Sequence, residues 1–241
     1  MAVRGLGGAR LRRAARGRAG AAGLAAGLYL VAGLLATSPA VFQTDRFLGY
    51  GEPREGRVTP GDHLQTVYAL WLPGHQLGRG EPPWLDPYSF QPVVEPRVNF
   101  AGWPFAPVYG PLRALLGTVA GWNVFVLLTY VGAGGLAALW LRSLGLGLGP
   151  ALVGGLAFAL APYRVAQSTG HLLGPISMLL PLALYGVERR HAWLAAAALA
   201  SIPLSGQVHL ALGAIPFALA YAVARRRALP GAVAAAAGVA A

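Results

Sequence analysis

Residues 192–224 read AWLAAAALASIPLSGQVHLALGAIPFALAYAVA, thirty-three positions without a formal charge, and Arg225-Arg226-Arg227 follow at once. A run of this length either crosses a bilayer once or folds back on itself. The middle decides between them. Pro203-Leu204-Ser205-Gly206-Gln207 puts a proline and a glycine where a helix would otherwise continue, and both residues end helices. We read two helical limbs joined by a turn. Each limb has roughly 16 residues, or about 24 Å of helix. That is short for a hydrocarbon core of about 30 Å, so the limbs stand with little tilt or the bilayer thins locally.

The rest of the chain repeats the pattern. Charge-free runs at 19–44, 114–141, 143–163 and 165–187 are separated by isolated or grouped Arg. Of 241 residues 56% are hydrophobic and only 11% charged, with a mean hydropathy of +0.54. A soluble domain carries about 25% charged residues, so an ordinary water-soluble globule is excluded. The absence of Cys excludes disulfides, thiolate metal sites and cysteine nucleophiles. The net charge of +11 comes from 19 Arg with no Lys, in a chain rich in Ala, Gly and Pro, as a GC-rich coding sequence produces. These Arg flank apolar runs instead of gathering on one solvated face, which argues against a nucleic-acid partner.

Placing the charges gives a topology. The first 18 residues carry six Arg and no acid, and the positive-inside rule puts them in the cytoplasm. A first helix over 19–42 exits, and 43–112 forms a long external loop. Helices near 122–141, 150–163 and 172–187 and the hairpin at 192–224 follow. Twelve Arg then lie inside against Glu188, and seven Arg lie outside among seven acids. A read-through of 192–224 would instead put Arg225–Arg227 outside. The expected fold is an all-α polytopic membrane protein with six to seven spans, multi-pass in the inner (plasma) membrane. Its regions are 1–18, 19–42, 43–112 and the multi-helix domain 113–241. The chain stops within a seventh apolar segment, so more chain is expected beyond Ala241. The basic start, apolar core and Ser38-Pro39-Ala40 also resemble a cleavable signal peptide, and either way residues after 42 emerge outside.

The external loop has its own organisation. Thr59-Pro60-Gly61-Asp62 reads as a turn into a helix, with Asp62 near the N-cap. Leu64, Val67, Tyr68, Leu70, Trp71 and Leu72 form an apolar face at helical spacing, and Gly78, Gly80 and Pro82-Pro83 end it. Trp84, Tyr88, Phe90, Phe100, Trp103, Phe105 and Tyr109 follow. Such aromatics suit either the bilayer interface or stacking on sugar rings, the interface being the simpler reading.

The string Gly61-Asp62-His63-Leu64-Gln65, with Trp71, Leu77-Gly78-Arg79-Gly80, Pro83-Trp84-Leu85-Asp86-Pro87 and Phe90-Gln91-Pro92, resembles the first external loop of bacterial multi-pass glycosyltransferases of the GT-C fold. Asn99, Gly110-Pro111-Leu112, Trp122-Asn123, Ala161-Pro162-Tyr163-Arg164 and Gly170-His171 fit the same pattern, so the resemblance covers about 45–225. It implies a polyprenyl-phosphate-linked sugar donor as partner, within membrane lipid. It also implies a loop Asp that acts as base or holds a divalent cation such as Mg or Mn. The C-terminal soluble domain and later helices of full-length members have no counterpart in this chain.

Sugar transfer needs a base for the acceptor and stabilisation of the departing phosphate. Asp62 is the first candidate base, with helix capping as the alternative role. Asp45 is the runner-up, and Asp86 is either a second carboxylate or an ordinary Asp-Pro turn initiator. Arg164 and His171, seven residues apart and on one face if helical, are candidates for the donor phosphate, with snorkelling and an interfacial His as the plainer roles. Arg97 and Asn99 are weaker phosphate or sugar contacts. His63 lacks a second His at zinc-ligand spacing and counts only as a substrate contact; His209, beside Gln207 at the hairpin tip, either lines the pocket or satisfies the helix break. A transporter or a non-catalytic membrane protein is the alternative. Against transport, the spans hold no Asp, Glu or Lys and the chain has no internal repeat.

Overall fold

The computed structural model describes the backbone of residues 4–43, 45–48, 62–89, 95, 97–168 and 170–241, and the side chains of these from Gly17 onward except Arg18. The Thr59-Pro60-Gly61 turn and Phe90-Gln91-Pro92 lie outside the described residues.

The helices are α1 (Arg4–Thr37), α2 (Asp62–Gly78), α3 (Ala106–Ser143), α4 (Leu148–Ala159), α5 (Pro162–Ser168), α6 (Leu173–Ile176), α7 (Leu179–Glu188), α8 (Ala192–Leu204), α9 (Val208–Ala224) and α10 (Ala228–Ala240). The one sheet among the described residues pairs β1 (Leu85–Asp86) with β2 (Arg97–Val98), antiparallel, with Asp86 opposite Arg97. The chain is therefore all-α and apolar. Two helices, Ala19–Ala36 within α1 and Ala106–Ser143, are long and apolar enough to cross a membrane, and α4 with α5 makes a third candidate bent by 54°. The remaining apolar helices have 10–17 residues, shorter than the usual span, which is why six to seven spans are not reached by length alone.

Sequence punctuation explains most boundaries. The run 192–224 breaks into α8 and α9 at Ser205-Gly206-Gln207. Gly206 has φ 77°, and the Gly206 and Gln207 N–H groups return to the carbonyls of Pro203 and Ile202. That is a Schellman cap, which needs a left-handed residue at this position. Pro162 ends α4 because a proline disfavours helix in the residue before it. Two boundaries differ from expectation. α1 starts at Arg4, inside the basic segment. α3 starts at Ala106, inside the expected loop, because Pro107 sits in its first turn, where the missing N–H costs nothing. α3 is kinked at Gly117, which takes a non-helical φ of 81°.

The helices approach closely through small residues. Tyr29 of α1 is fully buried and donates to the Leu152 carbonyl at 3.2 Å. A Cβ on Gly134 would lie 2.5 Å from its ring, and one on Gly155 would lie 2.2 Å from its hydroxyl. Glycine at both positions lets α1, α3 and α4 meet around one aromatic ring. A second buried cluster holds Trp122, Tyr109 and Phe125, which pack edge to face or tilted. Trp122 Nε1 donates to the Leu48 carbonyl at 2.8 Å, and Asn123 accepts from Leu48 N at 2.7 Å and donates to the Arg46 carbonyl at 2.8 Å. The Trp122-Asn123 pair thus ties the chain leaving α1 onto α3.

One end of the bundle collects arginines. Trp140 Nε1 donates to the Tyr221 hydroxyl, and that hydroxyl donates to Glu188. Arg225 grips the same carboxylate with two bonds of 3.0 Å, and Arg227 lies 3.9 Å away. The C-terminal ends of α3, α7 and α9 therefore meet. Arg142, Arg189, Arg190 and Arg225–Arg227 sit at this end, with Glu188 as the one carboxylate that any of them pairs with among the described residues. Arg190 and Arg226 both take left-handed cap conformations, φ 60° and 53°, at positions where Gly is usual. Because α8 and α9 are joined by a tight turn, Ser201 and Ser205 lie at the opposite end, where Trp103 Nε1 donates to Ser201 at 3.1 Å.

Candidate functional site

α2 begins at Asp62 and buries His63, Thr66, Val67 and Leu70, the spacing of one helical face, against α3. Thr66 Oγ1 donates to the Gly170 carbonyl at 3.2 Å, which docks the turn between α5 and α6 on the first turns of α2. Asp62 precedes Thr66 by one turn and lies on the same side. Its Oδ2 meets His171 Nε2 at 3.1 Å. Two candidates from distant parts of the chain, both expected at the external surface, are thus joined. Their side chains are 52% and 43% exposed, so the pair is open to solvent and contributes at most about 1 kcal/mol to stability. With Nε2–H donated to Asp62, Nδ1 of His171 becomes the free acceptor. A carboxylate that holds one ring nitrogen in this way fixes the tautomer and orientation of the imidazole.

His63 is buried beside this pair, with its ring 5.6 Å from that of Phe47. Burial holds its imidazole below the usual range, against the opposite pull of the Asp62 charge. Asp45 is exposed and lies 3.9 Å from Arg46. His209 is exposed in the first turn of α9.

Arg164 and His171 do not share a helical face, contrary to the expectation from their spacing: α5 ends at Ser168, and Arg164 is only 2% exposed. Its guanidinium donates to the carbonyls of Ala159 at 3.1 Å and Thr129 at 2.6 Å and lies 4.8 Å from the centre of the Tyr130 ring. Ala159 is the last residue of α4, so the cation sits at the negative end of that helix. Arg164 therefore bolts the α4–α5 bend to α3.

Asp86 is also buried, at 2% exposure, and is the centre of the loop. It accepts from the Tyr68 hydroxyl, from Asn99 Nδ2 and Ser89 Oγ at 2.7 Å each, and from the backbone N–H groups of Tyr88 and Ser89. Burial alone would raise its pKa, but the bonds from Tyr68, Asn99 and Ser89 outweigh it and bring the carboxyl down to about 2. Burial and the Asp86 charge push the Tyr68 hydroxyl up to about 12. Asn99 is consumed by this cluster, and Arg97 stands on the solvent-exposed β2 opposite Asp86. All three belong to the hairpin, which Tyr68 and Gln76 hold to α2, so they form a group of their own around the Asp86 carboxylate. The Asp-Pro turn signal was visible in the sequence; the packing that buries its carboxylate was not.

The cluster sets an acid sensitivity. A carboxyl at about 2 in the folded chain and 3.8 when unfolded gives stability that is complete above about pH 4 and lost as pH falls toward 2. The difference is about 2 kcal/mol. Pepsin cleavage within 79–105 is expected to rise steeply across that window, and Asp86→Asn is expected to remove the step. A cleavage rate without a step in the wild type would contradict this role.

Sequence reading missed His75 and Trp71 as a unit. Their rings stack at 4.2 Å, and His75 Nε2 lies 2.8 Å from the Tyr88 hydroxyl. The i, i+4 spacing was the available signal. Among the described residues no three His, Asp or Glu side chains converge as a metal site. A Mg or Mn ion at this site would find one carboxylate among the described residues, that of Asp62.

Compared with family models, curated proteins and solved structures, the chain matches none.

Proposed function

We propose that this protein is an integral membrane glycosyltransferase that moves a sugar from a lipid-phosphate donor to an acceptor at the outer face of the membrane. The observation that carries the reading is the open Asp62–His171 pair, set where a surface helix meets the end of an apolar bundle. A lipid-linked donor keeps its tail among the apolar helices and its phosphosugar at their ends. The acceptor hydroxyl or amide gives its proton to Nδ1 of His171, which Asp62 orients, or to Asp62 itself. The acceptor oxygen or nitrogen forms the new bond to the anomeric carbon, and the lipid phosphate leaves with the electron pair of the broken bond. A divalent ion, if bound, would be held by Asp62 and would supply charge to the donor phosphate. Membranes that contain the protein are expected to consume a polyprenyl-phosphate sugar that control membranes leave intact; equal survival of the donor would refute the reading.

The orientation follows from the arginine-rich end, which we assign to the cytoplasm with the N-terminus. Residues 62 and 171 then face outward. The chain has no native Cys, so single-Cys variants report cleanly. Position 209, exposed in the first turn of α9, is expected to react with a membrane-impermeant maleimide added outside, and position 226 only after permeabilisation. Labelling of position 226 from outside would reverse the assignment.

A further inference from the structure

α1 and α3 run antiparallel in a simple register. A Cβ on Gly33 would lie 3.0 Å from Tyr130, and one on Gly134 would lie 2.5 Å from Tyr29, so four steps back along α1 match four steps forward along α3. Extended by two turns, the register sets Ala21 level with Arg142. Packing is tightest at Tyr29, which is fully buried, and from Leu28 back to Gly17 the described residues of α1 are half-buried or exposed. The result is a groove of about 790 Å³ between α1, α3 and α4. Its walls are small and apolar, including Ala21, Ala25, Gly135 and Leu139, and among the described residues its one charged wall is Arg142, at the arginine-rich end. Arg142 spends one N–H on the Leu146 carbonyl at 2.7 Å, and its other N–H groups have no partner among the described residues. From Gly132 to Arg142 the groove spans about 15 Å along α3.

We propose that this groove is a binding site for one anionic phospholipid, with an acyl chain along α1 and α3 and the phosphate on Arg142. This rests on the membrane embedding proposed above and not on the transferase chemistry. Charge complementarity selects the occupant. An apolar helix from a second copy or from further chain would fill the walls but bring no anion to Arg142. An anionic lipid satisfies both, and basic pockets at cytoplasmic helix ends bind such headgroups. Glu188 offers no internal substitute, because Arg225 and Arg227 hold it.

The test is native mass spectrometry and thermal denaturation of the purified full chain, titrated with phosphatidylglycerol or phosphatidylcholine. Wild type is expected to retain phosphatidylglycerol preferentially. Arg142→Gln is expected to weaken it about fivefold, the usual scale for one basic residue at a headgroup, with phosphatidylcholine unchanged. Gly135→Leu is expected to abolish retention of both, and it leaves the fold intact because a Cβ there meets nothing within 4 Å. Unchanged phosphatidylglycerol retention in both variants would overturn the proposal, as would a dimer that Gly135→Leu dissociates. Recovery of the wild type in the soluble fraction would instead overturn the membrane embedding itself.

Discussion

Asp62→Asn is expected to lower sugar transfer by about 10²-fold or more while leaving the protein folded. The magnitude is that of a lost general base. Asn keeps the size of Asp and its ability to stand at a helix start, so α2 survives. The ion pair itself is half exposed and contributes little to stability, which separates the effect on rate from the effect on fold. His171→Gln is expected to act on the same scale. If the two side chains work as a unit, the double variant should be no slower than the worse single one, because removing either member already disables the pair. Asp45→Asn is the control: its carboxylate is exposed and among the described residues pairs only with Arg46, and near-normal transfer is expected. A collapse in Asp45→Asn with normal transfer in Asp62→Asn would move the chemistry to the earlier carboxylate. The assay is transfer rate at matched membrane expression.

Asp86→Ala is expected to give the largest loss of stability. The carboxylate accepts from two hydroxyls, one side-chain amide and two backbone N–H groups while almost fully buried. Hydrogen bonds to a charged group are worth about 1.5–3 kcal/mol each, and donors left unpaired in a buried site add their own cost. The loop should lose about 3 kcal/mol or more. The damage should stay local, since Tyr68 and Gln76 carry the hairpin to α2 and the bundle packs elsewhere. Proteolysis within 79–105 should accelerate strongly while the helices of the bundle stay protected. Asp86→Asn should show the same sensitivity more weakly, because one of its two acceptor atoms becomes a donor. An unchanged cleavage rate in Asp86→Ala would mean that the cluster does not hold the loop.

These two carboxylates also show what the sequence makes legible. Both stand in turn-like strings, Gly61-Asp62 and Leu85-Asp86-Pro87, and nothing local separates them. Burial separates them, and it depends on Tyr68 and Asn99 arriving from other parts of the loop. Helix punctuation was local and therefore readable: α2 starts at Asp62 and ends at Gly78, and the long apolar run turns at Ser205–Gln207. The start of α3 was misread because Pro107, Gly110 and Pro111 all suggest loop, yet a first-turn proline fits a helix. Arg164 and His171 were expected to act together from their spacing. Pro162 and the end of α5 at Ser168 turn one inward and the other outward. The pairing of His171 with Asp62, 109 positions away, is a tertiary fact that no periodicity carries.

The most direct test of the account is release of polyprenyl phosphate from a polyprenyl-phosphate sugar by the purified protein in proteoliposomes, measured for wild type and for the Asp62→Asn, His171→Gln double variant. The account predicts release by the wild type and a loss of about 10²-fold or more in the double variant. Equal release by the two proteins, or none above protein-free vesicles, would contradict it.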